Sequence, residues 1–277
     1  MLLRTVTDFR RAMDLSLVLD EEGIAHELRS GPGEICAIVV GDADAERADQ
    51  ALRAFEAENK PAPLESAEPE KASAAVLSGM VFALIVFGLP LLQTPLWHER
   101  GAADAAAIVR GEWWRCVTAL TLHADEGHAA GNAALGGILL AFLSRRLGAG
   151  IAALLLVASG ALGTLCAAEL LRRNFVSIGA STAVFGALGA LAILEALNPS
   201  SRRRAFVPVA AGLALLGFLG TSPRADLAGH LFGFASGSLL GALSSRLLNR
   251  HLAAQILSAF LALTTPALAW WLAFKAS

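Results

Sequence analysis

Beyond Lys71 the chain falls into a succession of apolar blocks, each close to the ~20 residues an α-helix needs to cross lipid hydrocarbon. Inside a bilayer every backbone N–H and C=O must be satisfied without water, which limits such blocks to helices or a closed barrel. Blocks of this length read as helices, at roughly 73–93, 128–143, 149–170, 181–197, 205–220, 228–247 and 252–274. The fold class that follows is an all-α polytopic membrane protein with seven spans and one long hydrophilic connection, 94–127. The overall apolar content, 55%, lies only modestly above the roughly half found in ordinary domains, so it is the arrangement that carries the argument.

Charge divides the chain. Residues 1–71 hold 8 Lys+Arg against 16 Asp+Glu, whereas the remainder holds 14 against 8, so an acidic head precedes a basic membrane body. Such a head is unsuited to nucleic acid or anionic lipid, which attract positive charge. Residues 1–59 read as a small soluble α/β domain. Phe9, Met13 and Leu17 recur every four residues along a helix from Asp8 to Glu22, which Gly23 stops. Strands at Ala25–Arg29 and Ile35–Val40 flank a turn at Ser30-Gly-Pro-Gly33. Asp42 or Asp44 then caps a second helix to Glu58, with Ala48, Leu52 and Phe55 facing inward. The proline- and acid-rich stretch at 60–72 reads as a linker, 73–250 as the membrane core and 251–277 as an additional C-terminal helix.

The polar start of the chain, Met1–Arg11, is unlike a cleavable leader, which leaves targeting to the first span. The short connections 144–148, 198–204 and 244–251 carry seven Arg and no acid, placing them, and with them the N-terminus, in the cytoplasm. Three lysines, no tyrosine and abundant Ala and Arg point to a bacterial chain, hence to the inner (cell) membrane. Cys36, Cys116 and Cys166 are scattered, odd in number and without metal-ligand spacing; they read as packing residues, with no metal site.

Two apolar blocks hold reactive groups. Ser181, in Gly179-Ala-Ser-Thr, opens the fourth span, where a helix N-terminus offers free N–H groups and partial positive charge to a developing anion. An isolated serine here serves as a helix cap. His230 changes that reading. It lies near the start of the sixth span, which by alternation begins on the same side as the fourth, and an ionisable residue at that depth marks function. Gly229, Gly233, Gly237 and Gly241 form a small-xxx-small ladder around it that admits another helix closely. A neutral imidazole meeting Ser181 there would take its proton and return it to a leaving amine. Asp226, four residues earlier, would touch His230 if the helix began early, but reads as a solvated loop charge, leaving a two-residue Ser/His dyad.

His128 and Asn132 share one face at the start of the second span, again on the same side. Both are donors able to hold an oxyanion; a pair of this kind also serves as interhelical glue. Trp113, Trp114 and Arg115 place the long connection in the membrane interface as a structural element.

Taken together, Trp114-Arg115, His123, His128-x-x-x-Asn132, Gly179-x-Ser181 with Phe185 and Gly186, and His230-x-x-Gly233-x-x-x-Gly237 resemble the rhomboid family of intramembrane serine proteases over roughly residues 74–250. The resemblance implies a six-helix core, here with a seventh helix at the C-terminal side. It implies Ser181 as nucleophile, His230 as general base, and His128, Asn132 and the backbone at Gly179–Ser181 around the oxyanion. Phe185 would pack on the histidine, with Trp114, Arg115 and Gly233 in support, and no metal or organic cofactor would be needed. Substrates of the family are single-span membrane proteins cut near their outer membrane boundary. Proteolytically inactive relatives act instead as chaperones or escorts, but lack the serine or histidine that this chain keeps. Two positions depart from the family pattern: Thr182 follows the serine where glycine is usual, and Ser144 precedes Arg145-Arg146 where a carboxylate is common.

Overall fold

The computed structural model describes residues 2–6, 9–30, 36–59, 69–171, 175–199, 202–219, 226–247 and 251–276. The chain divides into two compact units, Met1–Ser66 and Ala67–Ser277.

The first unit sets two helices, α1 (Phe9–Glu21) and α2 (Ala45–Glu58), on a three-stranded antiparallel sheet. Its strands are β1 (Leu2–Val6), β2 (His26–Ser30) and β3 (Cys36–Val40), in the order β1-β3-β2. β1 is absent from the sequence reading, where Met1–Arg11 registers only as a polar start. Along β3, Cys36, Ile38 and Val40 are buried in alternation, as a strand covered on one face requires. On α1 the inward stripe is Ala12, Leu15 and Leu19, while Met13 and Leu17 are exposed. The four-residue repeat of Met13 and Leu17 therefore marks the wrong face. On α2 the buried residues are Ala45, Ala48 and Leu52, with Phe55 packed alongside. Gly23, at φ +65°, ends α1 in a conformation that disfavours any side chain. The Ser30–Gly33 turn falls largely, and the 60–72 linker mostly, outside the described residues.

In the second unit the helices follow the apolar blocks. They are α3 (Pro69–Gly88), α7 (Glu126–Leu147), α8 (Ala149–Leu171), α9 (Ser181–Leu197), α10 (Phe206–Leu219), α11 (Leu227–Leu247) and α12 (Leu252–Lys275). Among the described residues, five stretches are long and apolar enough to cross a bilayer: Ser73–Leu92, Glu126–Leu147, Ala149–Leu171, Leu227–Ser245 and Leu252–Lys275. α9 and α10 are shorter. α9 is the innermost rod, with every residue from Thr182 to Ala192 buried. It packs most extensively on α11, and also against α7, α8 and α10, while α12 lies against α8. The long connection folds into short helices α4 (Pro95–Gly101), α5 (Ala105–Val109) and α6 (Arg115–Thr118). It also supplies β4 (Ala103–Asp104), which pairs antiparallel with β5 (Val176–Ser177).

Helices in lipid gain nothing from hydrophobic exclusion of one another and associate by close packing, which small residues permit. The α9–α11 seam is built in this way. A Cβ added to Gly237 would strike the backbone of Gly186, one added to Gly189 the backbone carbonyl of Phe234, and one added to Gly241 would come within 3.0 Å of the Ala190 Cα. α3 and α7 meet likewise at Gly79 and Gly137.

Candidate active site

The segment entering α9 is fixed before the helix starts. β5 pairs with β4 (Ala103 opposite Ser177), Ala105 N–H donates to the Phe175 carbonyl at 3.0 Å, and Gly179 N–H donates to the Ala119 carbonyl at 2.9 Å. Gly179 has φ +121°, and an added Cβ would come within 2.7 Å of the His128 ring and 3.4 Å of Asn132 Nδ2. Glycine is thus required twice over, by the backbone angle and by the close pass of two side chains from α7.

Ser181 follows at the first position of α9 and is half-buried. Its Oγ lies 2.8 Å from His230 Nε2, a hydrogen bond across two helices. Phe185, one turn below the serine and fully buried, stacks on the imidazole with centroids 4.5 Å apart and planes inclined by 18°. That stacking, with His230 only 4% exposed, limits the ring to one orientation. Thr182 does not crowd this recess. It is buried in the helix seam, its Cγ2 being 2.9 Å and 3.0 Å from Cβ atoms built on Gly163 and Gly233. Gly233 thereby admits the turn of α9 that carries the serine.

On α7, Asp125 caps the helix by accepting from His128 N–H at 2.7 Å. His128 is half-buried and Asn132 buried, and the Asn132 Nδ2 donor has no partner among the described residues. His123 is a neighbour whose role the sequence left unassigned. It is buried, stands edge-on to His128 with centroids 5.3 Å apart, and neither ring nitrogen has a well-formed hydrogen-bond partner among the described residues. Burial, helped by the nearby His128, pushes its pKa down to about 4, so it is neutral at physiological pH.

Asp226 is no solvated loop charge. Its backbone carbonyl accepts from His230 N–H at 3.1 Å and its Oδ1 from Gly229 N–H at 2.8 Å, which makes it the N-cap of α11. Trp114 and Arg115 stand apart from the serine. Arg115 donates to the carbonyls of Glu99 and Ala102, both at 3.0 Å, and pairs with Glu112 at 2.7 Å, tying the long connection together. Trp114 lies against Trp113, with centroids 6.3 Å apart. α12, whose contacts the sequence did not foretell, braces this connection. Trp270 donates to Thr121 Oγ1 at 3.0 Å and lies 4.4 Å from Trp97, centroid to centroid. Cys116 lies buried in the same layer, its thiol pushed up to about 12 by desolvation, which keeps it protonated and unreactive. Among the described residues, no cluster of three or more His, Cys, Asp or Glu is arranged to hold a metal ion.

Comparison with known proteins fits this arrangement. The family model described as the Rhomboid domain matches residues 110–247. The rhomboid relative YdcA of Bacillus subtilis (strain 168) is 27% identical over 160 residues, which are 56% of this chain and 79% of that protein. Rhomboid protease GluP of the same organism is 31% identical over 139 residues, 50% of this chain and 27% of GluP. RHOMBOID-like protein 1 of Arabidopsis thaliana is 33% identical over 152 residues, 52% of this chain and 38% of that protein. The match thus spans most of YdcA but well under half of the other two. It runs from the long connection to the end of α11 and takes in the serine, histidine and asparagine described above; this polytopic helical membrane protein belongs to the rhomboid family.

Proposed function

We propose that this chain is an intramembrane serine endopeptidase, with Ser181 as nucleophile and His230 as general base. The observation that carries the reading is the 2.8 Å contact between Ser181 Oγ and His230 Nε2 across two membrane helices, with Phe185 stacked behind the ring. In the proposed cycle Ser181 Oγ attacks a peptide carbonyl while His230 Nε2 takes its proton and passes it to the departing amine. Water then hydrolyses the acyl-enzyme, with the same imidazole as base. The unpartnered Asn132 Nδ2, the His128 ring and the backbone at Gly179–Ser181 hold the tetrahedral oxyanion, a use that accounts for a buried donor left without a bond.

Substrates on this reading are single-span membrane proteins, cut near their outer membrane boundary. The N-terminal unit lies in the cytoplasm and the serine faces the outer side. Unwinding a substrate helix exposes backbone groups that lipid cannot satisfy, so segments with helix breakers at that boundary are cut preferentially. The test is reconstitution of the full chain in liposomes with reporter single-span proteins and a fluorophosphonate probe. Wild type labels and cleaves; Ser181→Ala does neither, and His230→Ala loses about 10⁴-fold or more in rate. Reporter binding by a wild type that neither labels nor cleaves would replace this reading with that of an inactive chaperone or escort.

A further inference from the structure

We infer that Asp226 is a positioning residue for His230, its free carboxylate oxygen holding the imidazole in the tautomer that presents Nε2 to Ser181. The inference rests on the Ser181/His230 reading and deepens it. Two buried polar atoms stand unpartnered one helical turn apart among the described residues, Asp226 Oδ2 and His230 Nδ1. Residues four apart share a helical face. Capping uses only half of the Asp226 side chain, the Oδ1 that accepts from Gly229 N–H. A Cβ built on Gly229 would strike the carboxylate, so the side chain folds back over the first turn of α11 rather than away from it.

The two orphaned atoms are chemically complementary. An ionised carboxylate oxygen can only accept, whereas imidazole Nδ1 must donate if Nε2 is to accept the serine proton. With Nδ1–H directed at Oδ2, by a small side-chain rotation or through one bridging water, both requirements close at once. The proton taken from Ser181 resides on Nε2 and leaves with the amine. Asp226 receives no proton and keeps its charge, which also steadies the transient imidazolium.

The test separates the carboxylate from the cap. Asp226→Asn keeps a capping oxygen but puts an N–H where an acceptor is needed, and Asp226→Ser keeps the cap alone. In the full chain in detergent, fluorophosphonate labelling should slow about ten- to a hundredfold in both variants, less than the ~10⁴ seen when a directly bonded triad acid is replaced. With ¹⁵N-histidine, the resonance that His230→Ala removes should report Nδ1–H in wild type and Nε2–H in Asp226→Asn. Labelling at the wild-type rate in both variants overturns the inference. Slow labelling with the Nδ1–H form retained also overturns it, leaving Asp226 as a cap only. A wild type that never labels removes the Ser181/His230 reading itself, and this inference with it.

Discussion

At the Leu197 end of α9, buried polar groups are matched to partners. Glu195 pairs with Arg146, Ser144 Oγ meets Ser78 Oγ at 2.9 Å, and Gln255 accepts from Gly150 N–H at 2.9 Å while donating to the Leu147 carbonyl at 2.8 Å. At the Ser181 end, His123, Asn132, Asp226 and His230 all keep unpartnered buried atoms; at the opposite end, among the described residues, only Glu195 Oε2 does. An unsatisfied buried polar group costs about 1–3 kcal/mol, so several at one end mark a place held for something other than folding. One end of the bundle is fastened, and the other is kept ready. Ser144, just before Arg145-Arg146, belongs to the fastened end, joining α7 to α3.

The contrast is broken most sharply by exchanging losses between the two ends. If Asn132 holds the oxyanion as proposed, Asn132→Ala should lower kcat about 10²-fold with little change in KM and little loss of stability, since its donor would be spent only on the transition state. Gln255→Ala should do the reverse. It uncaps Gly150 and Leu147 at the α7–α8 turn, costs about 1–3 kcal/mol in reversible unfolding, and leaves kcat unchanged. Steady-state cleavage alongside denaturation in mixed micelles reads both. If Asn132→Ala destabilised the fold while leaving kcat intact, its free donor would be structural glue, the reading that the shared side with Ser181 and His230 weighed against.

Next in size is the seam that both ends depend on. Gly237→Val would push a branched side chain into the backbone of Gly186 and should destabilise the bundle by about 1–3 kcal/mol or more. Gly131→Ala, beside Asn132 but with nothing within 4 Å of its added Cβ, should leave cleavage unchanged and, as a glycine replaced inside a helix, should if anything stabilise by up to about 1 kcal/mol. Equal behaviour of the two would mean that the ladder does not set the α9–α11 distance.

How far the sequence reaches follows from the range of the interactions concerned. Membrane helices are written in local composition, so α9 and α12 start where the apolar blocks place them, and alternation of spans brings Ser181 and His230 to one side. α4, α5 and α6 are at most seven residues long, too short to hold themselves, and exist because Arg115, Thr118 and Trp270 tie them down. Two-residue β4 and β5 carry no periodicity to detect. Gln255 and Trp270 find partners more than a hundred residues away, beyond any local pattern. Asp226 misled for the opposite reason: a charge at a span boundary resembles a solvated loop residue until the helix start is placed on it. Met13 and Leu17 misled because an apolar repeat ran along both faces of α1, and packing chose the other.

The effect confined to acid pH concerns His123, which also sits at the unsatisfied end. Its pKa is about 4 in the folded protein against an ordinary value of 6.5, with burial the main cause. Between those values the unfolded chain binds a proton that the folded chain refuses, so stability rises with pH across the window. Full stability is present above about 6.5, declines as pH falls, and levels off below about 4. His123→Leu removes the titrating group, so its loss of thermal stability from pH 6.5 to 4 should be shallower than wild type's. Comparing the two slopes cancels the other histidines. Parallel curves would mean that the His123 ring is charged or solvated in the folded state, and the dry layer beside His128 would have to be redrawn.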